Sequence, residues 1–347
     1  MAELLGGKYE VLELAGEGGM AKVYRGRTHG ASGFTRPVAI KRVLAPLSHD
    51  AEFLTMFVEE ARVVSALAHP NIAQIHDFDR DQAGEYYLVL EWVDGLTLSE
   101  WRSALAEGGG GAPWELVAAI GIEVLRALHA AHSHTDEGGR ATPVFHRDVT
   151  PQNVILSRSG VVKLTDFGLA RAMDRHSITA PGFVKGKISY LAPELTHEAA
   201  PSAQTDLFSA SVVLWETLAG RKLFEGKDPA RVIGTIRDMR IPNLASIRRD
   251  VPSTLAEILA RGLERKPEDR YPTAHAMGRA LARLLREVDT PTEAEAIAAS
   301  VALASARRDA TEAVTKSFPT GRTLALAGAA DETLPDTSIP LTRRVKK

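Results

Sequence analysis

The 347-residue chain contains no cysteine, which excludes disulfides, thiolate metal sites and a cysteine nucleophile. It also lacks any run of about 18 apolar residues, and its N-terminal segment MAELLGGKYE has neither the basic nor the apolar region of a signal peptide. A formal net charge of -2 gives no electrostatic reason to expect nucleic acid or an anionic membrane as a partner. We therefore expect a cytoplasmic enzyme or regulator without a membrane span.

The distribution of apolar residues predicts two lobes of different character. Up to about residue 97, segments such as YEVLELAGEGG, AKVYRGRT and RPVAIKRVL alternate as strands do, with one helix among them. Beyond that point, WELVAAIGIEVLRALHAAH and the almost wholly apolar TDLFSASVVLWETLAG predict helices. A strand-rich lobe thus precedes a mostly helical lobe, and the cleft between two lobes is a usual place for a ligand.

Residues 288–347 differ from the rest of the chain in composition. They contain many Thr, Ala and Pro residues, and Phe318 is their only aromatic residue. Such a segment cannot bury enough apolar surface to fold alone. We expect 288–347 to be mostly disordered, with room for one short Ala-rich helix.

Glycines cluster in GEGGMAKV (16–23), at a turn between two predicted strands. Glycines at such a turn let backbone N–H groups approach a phosphate closely, although a tight hairpin explains the same residues. Lys41 follows on the strand VAIK. A single lysine on a strand is ordinarily solvated, so its function depends on whether a partner exists.

The predicted helix EFLTMFVEEARVVSALAH offers that partner. At about 100° per residue its apolar residues form one stripe. The stripe consists of Phe53, Phe57, Val64 and Leu67. Glu60 lies in the middle of it, and a carboxylate on a buried face needs a cation to offset its desolvation. We expect Glu60 to pair with Lys41, the alternative being that Glu60 reaches the edge of the helix.

Two aspartates and one asparagine follow in the second lobe. Asp148 and Asn153 lie five residues apart in VFHRDVTPQNVIL, and Asp166 follows the strand-like VVKL in LTDFGLA. Oxygens of two Asp and one Asn that converge across a β-hairpin suit Mg²⁺, which prefers carboxylate and carbonyl ligands. One Asp alone is explained equally well as a turn residue.

In this order, the glycine loop, strand Lys, helix Glu, His-Arg-Asp, Asn and Asp-Phe-Gly resemble the motifs of a bacterial eukaryotic-like (Hanks-type) serine/threonine protein kinase. The resemblance covers roughly Tyr9 to Leu285. It implies an α+β fold of two lobes: an antiparallel sheet plus the helix called αC in the N-lobe (9–93), and a mostly helical C-lobe (94–287). It also implies ATP and Mg²⁺ as cofactors.

The resemblance further implies a function for each motif. Lys41 would hold the α- and β-phosphates and pair with Glu60, while Asp148 would accept or orient the proton of the substrate hydroxyl. Asn153 and Asp166 would hold Mg²⁺. The residues implied to line the ATP site are Gly16, Glu17, Gly18, Val23, Ala39, Lys41, Leu90 as gatekeeper, Glu91, Val93, Ile155 and Asp166.

Four more residues are implied to support the catalytic site. Glu194 of the APE motif would pair with Arg270, and Asp206 would brace the catalytic loop from the central helix. Arg147 precedes Asp148 and could receive a phosphate from the activation segment, because a phosphorylated hydroxyl opposite Arg orders a loop.

The candidate phosphate acceptors in that segment are Ser177 and Thr179, which are otherwise ordinary loop hydroxyls. Threonines of the tail are further candidates.

The chain departs from the family pattern at four positions. Ala21 replaces the third glycine of the loop, and Ser211 replaces a glycine in the central helix, where we expect only altered packing. Thr150 stands where the family usually has Lys, and Lys187 stands where it usually has Thr. Together the last two predict an exchange, in which Lys187 supplies the cation that position 150 lacks and Thr150 takes over the hydrogen bonding. The alternative is that Lys187 points to solvent or binds an acidic substrate.

The function predicted is transfer of the γ-phosphoryl group of ATP to Ser and Thr hydroxyls of proteins, including the kinase itself, in bacterial signalling. One alternative is a catalytically weak pseudokinase that acts as an ATP-binding scaffold, and another is a small-molecule kinase. The retained catalytic residues weigh against the first, and the full activation segment weighs against the second. Dimerisation, the physiological substrate and the upstream signal are left open.

Overall fold

The N-terminal part of the chain forms one antiparallel sheet. The computed structural model describes residues 3–18, 21–44, 47, 51–167, 187–197 and 199–317. The strands are β1 (Leu4–Leu5), β2 (Tyr9–Glu17), β3 (Ala21–His29), β4 (Thr35–Val43), β5 (Ile75–Arg80) and β6 (Tyr86–Glu91). Their order across the sheet is β1-β2-β3-β4-β6-β5. This antiparallel N-lobe sheet confirms the sequence prediction.

Strand β4 places Lys41 in the middle of that sheet. Lys41 lies opposite Val23 on β3 and Leu88 on β6. Its neighbour Ile40 is fully buried in a small cluster on one face of the sheet, together with Tyr87. Because successive side chains of a strand point to opposite faces, Lys41 is directed to the other face.

One helix covers that other face. Helix α1 (Ala51–Ser65) buries Phe53, Phe57 and Val64, and Leu67 follows just beyond it, so the predicted apolar stripe is confirmed. The rings of Phe53 and Phe57 stack with centroids 5.7 Å apart. Glu60 is buried within this stripe, at 9% exposure.

The C-lobe is built mainly from helices. They are α2 (Leu98–Glu107), α3 (Trp114–His132), α4 (Ala203–Ala219), α5 (Pro229–Asp238), α6 (Leu244–Ile247), α7 (Ser253–Gly262) and α8 (Ala274–Leu285). Every residue from Thr205 to Leu218 is buried, as predicted for a central helix. Ser211 lies where helices α4 and α7 approach closely: its hydroxyl donates to Leu207 O at 2.7 Å, and a Cβ at Gly262 would collide with it.

A small second sheet links the helices to the cleft. Its strands are β7 (Gly95–Thr97), β8 (Val154–Ser157) and β9 (Val162–Leu164), in that order. The catalytic loop, defined here as 144–153, runs from helix α3 into β8. The hairpin of β8 and β9 holds this loop close to the segment that contains Asp166.

A long helix follows the predicted end of the C-lobe at 287. Helix α9 (Ala294–Ser317) has 24 residues, so the short helix expected there was an underestimate. Ile297, Val301 and Ala304 are buried, because they recur at the spacing of one helix face and meet the C-lobe. Trp101 Nε1 donates to Ser300 Oγ at 3.0 Å. The prediction of disorder for the remainder of the tail, 318–347, lies outside the described residues.

The compact unit that contains both lobes runs to Asp309, beyond the predicted limit of 287. The second unit, Ala310–Lys347, is described only as the last turns of helix α9. Within the described part of the chain, no helix combines the length and apolarity needed to cross a membrane.

Candidate active site

Two residues have an unusual backbone conformation, one in the catalytic loop and one just after strand β9. Arg147 has φ 64° and Asp166 has φ 63°, in the left-handed region that side chains other than glycine rarely occupy. Such conformations persist only where surrounding contacts determine them, and they cluster at functional sites.

For Arg147, the carboxylate of Asp206 in helix α4 provides such contacts. Its Oδ2 accepts hydrogen bonds from the backbone N–H of His146 and from His132 Nε2, both at 2.8 Å. Its Oδ1 accepts from the N–H of Arg147, also at 2.8 Å. The brace expected of Asp206 is confirmed. His132 was not predicted, and only its position at the end of an apolar helix pointed to it.

His146 is fully buried under the loop. Its Nε2 lies 2.9 Å from Thr165 O, and its ring packs on Phe167 with centroids 4.5 Å apart. Burial lowers the pKa of His146, and attraction by Asp206 and Asp148 does not offset this effect. His146 therefore links the catalytic loop to the Asp166 segment as a neutral side chain.

Asp148 and Asn153 contact each other directly. Asn153 Nδ2 donates to Asp148 O at 2.7 Å and to Asp148 Oδ2 at 3.1 Å. The backbone N–H of Asn153 donates to Thr150 O at 3.1 Å, closing the turn between them. The side chain of Asp148 is only 11% exposed. The loop thus presents one oriented carboxylate beside one amide.

Lys41 and Asp166 join the two lobes across the cleft. Lys41 Nζ donates to Asp166 Oδ1 at 2.7 Å. Burial alone would raise the pKa of Asp166, but the charge and hydrogen bond of Lys41 outweigh it and leave that pKa below its ordinary value. Asp166 is therefore a carboxylate, with its side chain 30% exposed to the cleft.

The predicted pairing of Glu60 with Lys41 is not among the ion pairs of the described residues. Glu60 Oε1 instead lies 3.7 Å from Arg147 Nη1, and Lys41 is paired with Asp166. The prediction of a buried helix carboxylate with a cationic partner was right, but the partner was wrong. Sequence spacing does not distinguish Lys41 from Arg147 as a partner of Glu60.

Lys187 contacts Asp148. Its Nζ forms an ion pair with Asp148 Oδ2, while its side chain is 51% exposed. Thr150 is buried in the same loop as Asp148, at 4% exposure. The lysine that the sequence singled out in the activation segment thus contacts the catalytic loop.

Most of the residues predicted to line the ATP site belong to the two sheets and to the segment between them. Gly16 and Glu17 end β2, opposite Val23 and Lys22 on β3. Gly18 N–H donates to Ala21 O at 3.0 Å, closing the turn.

Three further residues of this prediction belong to strands of the two sheets. Ala39 and Leu90 are register partners on β4 and β6, and Ile155 belongs to β8. Val93 follows Glu91 in the link between the lobes, the hinge.

The hinge contains an ion pair that the sequence did not predict. Lys163 Nζ of β9 lies 2.8 Å from Glu91 Oε2. The N–H of Glu91 donates to Gln74 O at 2.8 Å. These contacts fix the strand end that precedes Val93. A single Lys in VVKL gave no signal for this pairing.

The end of the activation segment is anchored as expected. Arg270 Nη1 and Nη2 donate to the two carboxylate oxygens of Glu194 at 2.7 and 2.8 Å. This geometry is the strong bidentate form of an Arg–carboxylate pair. The predicted pairing is therefore confirmed. Ser177 and Thr179 lie outside the described residues.

The oxygen donors at the cleft fit Mg²⁺. Because the nitrogen of the Asn153 amide is taken up by Asp148, its Oδ1 is the atom left to face a cation. Asp166 adds a carboxylate held in its charged form. Carboxylate and carbonyl oxygens are the ligands that Mg²⁺ prefers.

This geometry agrees with the comparison of the chain with known families. The profile described as protein kinase domain matches residues 9–281, and the chain belongs to that family.

Its relatives include bacterial kinases that are named for two different specificities. The tyrosine-protein kinase MasK of Myxococcus xanthus is 37% identical over 281 residues, which cover 81% of this chain and 43% of MasK. The serine/threonine-protein kinase PknL of Mycobacterium bovis is 36% identical over 289 residues, covering 83% of this chain and 68% of PknL. PrkC of Bacillus subtilis, a serine/threonine-protein kinase, is 29% identical over 343 residues, which cover 99% of this chain and 49% of PrkC. The chain thus spans less than half the length of MasK and PrkC.

A solved structure shows the same fold. The crystal structure of the Mycobacterium tuberculosis PknI kinase domain matches with a TM-score of 0.60 and 26% sequence identity, covering 81% of this chain and 97% of that one. The two-lobed kinase fold predicted from the sequence is confirmed.

Proposed function

We propose that the protein transfers the γ-phosphoryl group of ATP to Ser and Thr hydroxyls of protein substrates, including itself. The observation that carries the proposal is the contact of Asp148 with Asn153 and of Lys41 with Asp166, in two segments joined by the bond from Thr165 N–H to Asn153 O. Membership of the protein kinase family supports the same reaction.

Each of these side chains has a separate function in the proposed reaction. Lys41 would bind the α- and β-phosphates, and Asn153 and Asp166 would hold Mg²⁺, which would supply positive charge to the phosphoryl oxygens. Asp148 accepts the proton of the attacking hydroxyl. Such a site acts mainly by positioning and by stabilising charge.

Specificity for Ser and Thr over Tyr is the finer part of the proposal. PknL and PrkC are named serine/threonine-protein kinases, whereas MasK is named a tyrosine-protein kinase. Autophosphorylation followed by phosphoamino-acid analysis distinguishes the two. Phosphoserine and phosphothreonine are expected, and phosphotyrosine as the main product would contradict this part of the proposal.

The alternatives have less support. A pseudokinase does not require Asp166 held as a charged carboxylate by Lys41, or Asp148 oriented by Asn153. A small-molecule kinase has no use for an anchored segment at 193–197, where Glu194 is bound to Arg270. Protein substrates, a cytoplasmic location and no nucleic-acid partner complete the proposal, and dimerisation is left open.

The direct test is incubation with labelled ATP and Mg²⁺, comparing the parent with Asp148→Asn. Loss of a positioned general base lowers rates by about 10²-fold or more, so label is expected on the parent and is expected to be nearly lost in the variant. Asp289→Asn, an exposed carboxylate far from the loop in sequence, is the matched control. Equal labelling of the parent and Asp148→Asn would contradict the assignment.

A further inference from the structure

Among the residues that the structure describes, Lys187 is the one cation that forms an ion pair with Asp148. Lys41 is paired with Asp166, and Arg147 with Glu60. The space beside Asp148, where the transferring phosphoryl group must meet the substrate hydroxyl, therefore takes its positive charge from Lys187.

The backbone at Lys187 is fixed although its side chain is half exposed. Lys187 immediately precedes the 3-10 helix Ile188–Tyr190, and Tyr190 N–H donates to Lys187 O at 3.1 Å. Tyr190 is in turn held by helix α4: its hydroxyl donates to Glu216 Oε2 at 2.9 Å, and its carbonyl accepts from Ser209 Oγ at 2.7 Å. A fixed base with a long, mobile side chain lets the ammonium group move over a few ångströms without moving the loop.

This ion pair differs from an ordinary surface pair. Exposed Lys–carboxylate pairs contribute little, because water screens both charges. Here the carboxylate is almost buried, at 11% exposure, and is the group proposed to accept the substrate proton. A cation left on that carboxylate would weaken it as a base, so the lysine must leave it when the substrate binds.

We propose that Lys187 is a catalytic residue that moves from Asp148 to the γ-phosphoryl group of ATP when the site fills. It would do what Thr150, buried and uncharged two residues after Asp148, cannot do. The inference rests on the proposed kinase function.

The step balances with Lys187 protonated throughout. A bond forms from the substrate hydroxyl oxygen to the γ-phosphorus, and the hydroxyl proton passes to Asp148. The bond from the γ-phosphorus to the bridging oxygen breaks, and its electron pair leaves with ADP. Lys187 exchanges no proton and only neutralises charge on the transferring group.

A mutant cycle tests the exchange between the two positions. Lys187→Thr is expected to lower kcat by about 10²-fold, the effect of losing one positioned donor. Thr150→Lys/Lys187→Thr should recover at least about tenfold of that loss, whereas Thr150→Lys in the parent should give no gain. Additive effects of the two substitutions would overturn the inference. So would a rise in kcat with Lys187→Thr, which is expected if Lys187 only blocks Asp148.

If Thr150→Lys does not fold, a second pair of variants tests the same inference. Lys187→Arg keeps the charge and should stay within about tenfold of the parent, while Lys187→Met should fall about 10²-fold. Equal losses in both would overturn the inference. Lys227→Met, which removes an exposed lysine of the C-lobe, is the matched control and should behave as the parent.

A measurement of nucleotide binding tests this inference independently of the proposed function. The ratio of affinities for a non-hydrolysable ATP analogue and for ADP, measured by calorimetry with Mg²⁺, should fall about tenfold in Lys187→Met, because only the analogue has the γ-phosphoryl group. Inactivity of the parent would refute the proposed function, yet this ratio would still decide the position of Lys187. An unchanged ratio would overturn the inference, whether or not the parent is active.

Discussion

At the residue scale, Asp206 is the buried carboxylate that holds His146 and Arg147 of the catalytic loop. One carboxylate accepts two backbone N–H groups and the ring of His132, and it does so at 1% exposure. The left-handed backbone of Arg147 depends on one of those bonds. Because a buried donor that loses its acceptor costs its full desolvation, this position is sensitive to small changes.

We predict that Asp206→Asn destabilises the protein by about 2 kcal/mol or more. Asn presents one oxygen and one N–H₂ group, so at least one backbone N–H would face another donor. The free energy of unfolding in urea measures the effect. Asp238→Asn, exposed at the end of helix α5, should change it by less than about 0.5 kcal/mol. Equal values for both variants would show that the three bonds contribute nothing.

A second prediction concerns His146 and pH. Its Nε2 must donate to Thr165 O, so Nδ1 accepts from the N–H of Asp148 at 3.2 Å. A proton on Nδ1 would set two donors against each other, which adds to the burial that lowers the pKa of His146. Below the unfolded-state pKa of about 6.5 the unfolded chain binds more protons than the folded one.

The stability due to neutral His146 is therefore complete above about pH 6.5 and is lost as the pH falls toward the folded-state pKa. The measurement is the difference in free energy of unfolding between the parent and His146→Gln from pH 8 to pH 5.5. This difference should shrink on acidification. A constant difference would mean that folding does not change the pKa of His146, and a growing one would mean that folding raises it.

At the scale of elements, regular apolar patterns predicted the helices well, and the Glu194–Arg270 ion pair was also predicted, but the partner of Glu60 was not. Helices α1 and α4 were predictable because their buried faces follow from spacing alone. The partner of Glu60 was not, because the choice between Lys41 and Arg147 depends on how the lobes approach. Helix α9 was underestimated because its buried stripe is narrow, and its burial depends on a surface made by other helices.

We predict that Val301→Ala in helix α9 costs about 2 kcal/mol of stability, although Ala favours helix formation. Val301 is fully buried, so the substitution leaves a cavity. Leu303→Ala is the matched control on the same helix: it removes a larger side chain that is 50% exposed, and it should cost less than about 0.5 kcal/mol. If Leu303→Ala costs as much as Val301→Ala, helix α9 does not pack on the C-lobe as described.

At the scale of the whole molecule, three ion pairs among the described residues cross between the lobes, and one of them is the Lys163–Glu91 pair at the hinge. Lys41 of the N-lobe sheet binds Asp166, and Glu60 of helix α1 lies near Arg147. Both lie at the cleft proposed to bind ATP. A ligand there contacts residues of both lobes at once, so its binding must stabilise the molecule as a unit.

We predict that ATP with Mg²⁺ stabilises the parent by about 2.7 kcal/mol at a free concentration of 100 Kd, because only the folded state binds it. Thermal unfolding with and without ATP measures the shift. Lys41→Met should abolish most of it, since the phosphates lose their cation. Asp148→Asn should keep it, since Asp148 acts on the substrate proton and not on the nucleotide. Loss of the shift in both variants would mean that Asp148 holds the nucleotide, and its assignment as the base would then have to be given up. Retention in both would place ATP outside this cleft.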